Sequence, residues 1–187
     1  MTHIAARWGG TAAIVAGVAW FVGLSYMTLD ELEYQGWIAS SPMPDALGMG
    51  AYIVAGIALA LALISLRPLL QGPGAGVGRG IATAGAALAL IPLWPATFLA
   101  PVLAGIGLFV LALASLRSDD FKTGGSRVHA YGLPGAVLTG ITLGAVGVTS
   151  PALPLLYAAA LTGGLIWIGI DMNAVRKGQP EAIGAMA

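Results

Sequence analysis

The chain contains no cysteine. That one absence excludes disulfides, thiolate metal sites, Fe–S ligation and a cysteine nucleophile. Charge is nearly as scarce. Lys and Arg number 8, Asp and Glu 8 and His 2, so charged residues make up 9% of 187 positions, where a soluble domain carries about 25%. A surface this poor in charge cannot face water on every side. The formal net charge is zero, which leaves no electrostatic footprint for nucleic acid. Chemical motifs are missing as well. There is no His-Glu-x-x-His, no Gly-x-Ser-x-Gly and no carboxylate pair at bilayer depth, so intramembrane hydrolysis has no candidate residues. No lysine lies in mid-span for a retinal Schiff base, and no paired histidines lie at bilayer depth for haem. No cofactor or metal is expected.

What is present is apolar: 58% of the residues are hydrophobic. The stretch 80–116 between Arg79 and Arg117 holds no charge. A helix rises about 1.5 Å per residue and a bilayer core is about 30 Å thick. The stretch is therefore too long for one crossing and long enough for two short ones, with Pro-Leu-Trp-Pro marking the turn. The same reading along the chain yields six apolar spans, at 8–29, 46–66, 80–95, 98–116, 128–148 and 152–172. The first resembles a signal-peptide core. It is longer than such a core, and no small-x-small cleavage site precedes the acidic cluster at Asp30, so it reads as an uncleaved helix. The Gly-rich stretch 71–80 lacks the Lys-Ser/Thr of a phosphate loop and reads as a flexible linker.

Charge placement supports the count. With the N-terminus in the cytoplasm and six alternating spans, Arg7, Arg67, Arg79, Arg117, Lys122, Arg127, Arg176 and Lys177 all fall on the cytoplasmic side, and the outer connections hold no Lys or Arg. The expected fold is thus an all-α membrane protein: a six-helix bundle of three helical hairpins in one domain, 1–187, with both termini inside. The hairpins 7–67, 79–117 and 127–176 invite a repeat. Residues 61–67 (Leu-Ala-Leu-Ile-Ser-Leu-Arg) match residues 111–117 (Leu-Ala-Leu-Ala-Ser-Leu-Arg) at six of seven positions, although these residue types are also the commonest of a short membrane helix.

Candidate functional residues are few. His3 gets no role. His129 opens span five and Asp171 lies near the end of span six at similar depth, so a polar or proton site of His129, Asp171 and Arg127 is conceivable; the plainer reading pairs Asp171 with Arg127 or water at the membrane boundary. Asp30, Glu31, Glu33 and Asp45 form an outer acidic patch without ordered metal-ligand spacing, and read as a solvated loop. Ala136, Gly140 and Gly144 form a small-residue stripe on span five for helix packing or an oligomer face. Pro134 kinks that span.

In general style the chain resembles small polytopic bacterial membrane proteins, without a motif specific enough to name a family. The sequence points first to a non-enzymatic component of the plasma membrane, partnered by lipid and by further copies of itself or another membrane protein. A small-solute, ion or proton-coupled carrier or channel is the alternative.

Overall fold

The computed structural model describes residues 2–34, 36, 39–40, 45–91, 93–115 and 152–178. The expected span at 128–148, with Arg127, His129, Pro134, Ala136, Gly140 and Gly144, lies outside them. The described elements are all helices: α1 (Thr2–Tyr34), α2 (Asp45–Leu66), α3 (Pro73–Leu88), α4 (Trp94–Ser115) and α5 (Ala152–Gly178). Three segments are long and apolar enough to cross a membrane, Trp8–Tyr34, Asp45–Leu66 and Leu155–Ala174, and Leu99–Ala114 is a shorter apolar helix.

Local chemistry sets the boundaries. Pro68, two residues beyond α2, removes a backbone donor and biases Arg67 away from helical geometry. Gly72 then takes φ 110°, a conformation that favours glycine, and Pro73 occupies the first turn of α3, where its missing N–H costs nothing. The expected linker at 71–80 is therefore helical from Pro73 onward. What offsets the weak helix propensity of its glycines is packing, because Gly78 lies on the α3 face pressed against α4. At the other end α3 stops at Leu88, earlier than the expected 95. Backbone bonds from Ala89 to Gly85, Leu90 to Ala87 and Ile91 to Leu88 close its last turn ahead of Pro92. Trp94 then begins α4, with Pro95 inside its tolerant first turn.

Helices α1 to α4 run alternately up and down, and α5 runs the same way as α4. A Cβ placed on Gly78 would lie 2.8 Å from the Leu111 nitrogen, and one on Gly85 would lie 2.5 Å from the Ala104 nitrogen, so α3 and α4 are antiparallel with touching backbones. Their facing positions, Ala75, Gly78, Ala82, Gly85 and Ala89 against Ala100, Ala104, Gly107 and Leu111, follow the three-four spacing of a coiled-coil seam built from small residues. Helix α1 packs against two neighbours. Gly9 meets Ser65 and Gly23 meets Tyr52 on α2; Gly10 meets Gly169 and Gly17 meets Thr162 on α5. Both pairings are antiparallel. One buried cluster, including Ala16, Trp20, Leu59, Leu70, Ala104 and Leu161, runs through all five helices.

This arrangement sorts the charges by end. The positions of Arg7, Arg67, Arg79, Arg176 and Lys177 gather where α1 and α3 begin and α2, α4 and α5 finish. Asp30, Glu31, Glu33 and Asp45 gather at the opposite end. The two matching heptapeptides do not share a packing face. Leu61 is 44% exposed where its counterpart Leu111 is 2% exposed, and Leu63 at 4% faces inward where Leu113 at 43% faces out.

Candidate functional site

At the acidic end, the Tyr26 hydroxyl donates to the Asp45 carboxylate at 3.1 Å and ties the last turns of α1 to the start of α2. Asp45 is well placed there, since a negative charge suits a helix N-terminus. Asp30, Glu31 and Glu33 stand in the last turns of α1, where the helix dipole disfavours them. Asp30 and Glu33 are exposed to solvent. Among the described residues no group of three His, Asp or Glu side chains is placed to hold a metal ion.

At the basic end, Asp171 is half-buried on α5. Its neighbours Gly169 and Met172 reach α1 at Gly10 and Gly9. Asp171 therefore sits at the level of the first apolar turn of α1. His129 and Arg127, its expected partners, lie outside the described residues.

Between the two ends lies a layer of neutral polar groups. Trp20 and Tyr52 are both fully buried, with ring centroids 5.3 Å apart and planes at 80°, an edge-to-face pair. The Tyr52 hydroxyl donates to Met27 Sδ at 2.6 Å, back on α1. The Tyr157 hydroxyl donates to the Pro101 carbonyl at 2.7 Å and joins α5 to α4 at the same level. Two polar atoms stay buried without a hydrogen-bond partner among the described residues: Trp20 Nε1 and Ser25 Oγ. Ser25 contrasts with the other small hydroxyls. Thr28 donates to the Leu24 carbonyl at 2.8 Å and Ser65 to that of Leu61 at 2.9 Å, each within its own helix. Thr162 reaches across to the Gly17 carbonyl at 2.9 Å.

The chemistry open to this layer is hydrogen bonding to a neutral polar group, through an indole N–H and a hydroxyl. The signal for it in the sequence was modest: single large aromatics at 20, 52 and 157 inside helices otherwise rich in Gly and Ala. No family model, curated protein or solved structure matches the chain at a significant level.

Proposed function

We propose that the chain is a six-span protein of the plasma membrane with both termini cytoplasmic, acting as a non-enzymatic component that assembles with further copies of itself or with a membrane-protein partner. The observation that carries this reading is the close packing of the helix seams. Glycine and alanine bring the backbones of α3 and α4, and of α1 and α5, into contact. The buried Thr28 and Ser65 hydroxyls are satisfied by their own helices. Such seams give rigidity and leave no charged path between the described helices. Outside them, Gly76, Gly80, Ala84 and Ala87 form an exposed small-residue face on α3, the kind of surface on which a second helix approaches closely.

Helix direction supports the span count. Helices α4 and α5 point the same way, with Tyr157 near the start of α5 bonded to Pro101 near the start of α4. The chain leaves α4 at the basic end and enters α5 at the acidic end. An odd number of crossings in between accounts for this, and 128–148 is the apolar stretch available. Purification in gentle detergent followed by mass measurement tests the assembly reading. We expect an oligomer or a co-purifying membrane protein. A lone monomer with nothing bound counts against it.

A second reading, a small carrier or channel, draws on the unpartnered Trp20 Nε1 and Ser25 Oγ, which a passing neutral solute or water could engage. A proton site of His129, Asp171 and Arg127 belongs to this reading. In proteoliposomes, Asp171→Asn should then slow solute-coupled proton uptake; wild-type uptake by that variant removes the relay.

A further inference from the structure

Arg67 and Arg79 flank one turn at the basic end. Arg67 follows the last residue of α2 and is exposed. Arg79 stands on α3 about 9 Å along the axis from Pro73, so its backbone lies inside the apolar part of the bundle. Its side chain is half-buried and turns back along the α2–α3 seam to donate to the Leu70 carbonyl. That is how a long cationic side chain brings its charge from bilayer depth toward the headgroup region. Neither arginine has a carboxylate partner among the described residues. A half-buried guanidinium without a counter-charge is costly, and the Leu70 carbonyl supplies a dipole, not an anion. One hydrogen bond to that carbonyl also leaves further guanidinium donors for a second acceptor.

Beside this turn, α2 presents the exposed apolar side chains of Ile57, Leu61 and Ile64. They lead from the level of Arg79 toward the middle of the bundle on the face turned away from α1. Two positive charges without a counter-charge among the described residues, at the mouth of an apolar strip, match a molecule with a negative head and a hydrocarbon tail. We propose that the α2–α3 turn is a binding site for an anionic phospholipid, its phosphate held by Arg67 and Arg79 and an acyl chain lying along Ile57, Leu61 and Ile64. The site rests on the membrane reading of α2 and adds to it a selectivity among lipids.

The test uses the full chain in mild detergent, offered equal amounts of phosphatidylglycerol and phosphatidylcholine with matched acyl chains and examined by native mass spectrometry. Phosphatidylglycerol should be retained in preference. Arg67→Gln and Arg79→Gln should each lower that preference about fivefold, the effect of one basic charge at an anionic surface. Arg67→Gln leaves the Arg79 bond to the Leu70 carbonyl in place, so it separates loss of charge from loss of the turn. Arg79→Lys keeps the charge and should keep most of the preference. Equal retention of the two lipids overturns the proposal, as does an undiminished preference in the double glutamine variant. Abolition of the preference by excess inorganic phosphate overturns it in favour of a free-phosphate site. Alkaline carbonate extraction of the source membranes separates the two levels of the argument. An extraction-resistant chain without lipid preference sinks the lipid site alone, whereas a chain released by carbonate sinks the membrane reading with it.

Discussion

Tyr157 donates its hydroxyl proton to the backbone carbonyl of Pro101 at 2.7 Å, across the gap between α5 and α4. These two helices are separated in sequence by residues 116–151 yet start at the same end of the bundle. The contact fixes their relative height. Tyr157→Phe removes this one bond and leaves the ring in place. Interhelical bonds in membranes contribute about 0.6 kcal/mol on average, so unfolding of the variant in mixed micelles should show a loss near that size. A loss of several kcal/mol would mean that Tyr157 carries more than its hydroxyl bond.

The lack of cysteine makes topology directly measurable. Single substitutions Asp30→Cys, Gln71→Cys and Thr149→Cys place one thiol each at the acidic end, the basic end and the connection before α5. With a membrane-impermeant maleimide on sealed cells, Asp30→Cys and Thr149→Cys should label and Gln71→Cys should not. Labelling of Gln71→Cys from outside would invert the bundle. Protection of Thr149→Cys would remove the sixth crossing.

The glycines of α3 divide into two kinds. Gly85 faces α4, and a Cβ there would sit 2.8 Å from the Ala100 carbonyl oxygen. Gly85→Val should destabilise by about 1–3 kcal/mol through forced separation of the two backbones. Gly80 faces outward with nothing within 4 Å of an added Cβ. Gly80→Ala should leave the stability of the single chain unchanged or raise it by up to about 1 kcal/mol, since alanine is the better helix former. Resistance to SDS-induced unfolding compares the two directly. Equal effects would contradict the close α3–α4 seam.

Ser25 Oγ is buried without a partner among the described residues. An unsatisfied buried hydroxyl costs about 1–3 kcal/mol. Ser25→Ala should therefore leave thermal stability unchanged or raise it. A clear fall would show that Ser25 Oγ is engaged by water or by a bound molecule, and would favour the carrier reading over the assembly one.

Much of the helical architecture was readable from composition and punctuation. Long uncharged runs point to helices in lipid, and among the described residues the basic positions gather at one end, with Asp171, while Asp30, Glu31, Glu33 and Asp45 gather at the other. The failures have local causes. Residues 71–80 looked like a linker because glycine is judged by its intrinsic propensity; Gly78 and Gly85 instead serve contact with α4, which is a tertiary fact. The repeated Leu-Ala-Leu-x-Ser-Leu-Arg says nothing of helix rotation, which sets Leu61 outward and Leu111 inward; the hairpin repeat itself stays an expectation. The contacts of the Trp20–Tyr52–Tyr157 layer were not legible, because nothing in an aromatic side chain's position in sequence says which carbonyl or sulfur it will meet. The polar site of His129, Asp171 and Arg127 and the stripe of Ala136, Gly140 and Gly144 stay expectations of the sequence.

The brevity of α3 has a physical consequence for the lipid around it. Its 16 residues rise about 24 Å, some 6 Å less than an average hydrocarbon core. In the proposed six-span arrangement, the lipid would thin where the α3–α4 hairpin meets the bilayer, or the flanking side chains would stretch to the interface, at a fraction of a kcal/mol per Å. The longer α1 and α2 impose no such demand. The perimeter is thus uneven in its preferred thickness, and a thicker bilayer should press selectively on the side formed by α3.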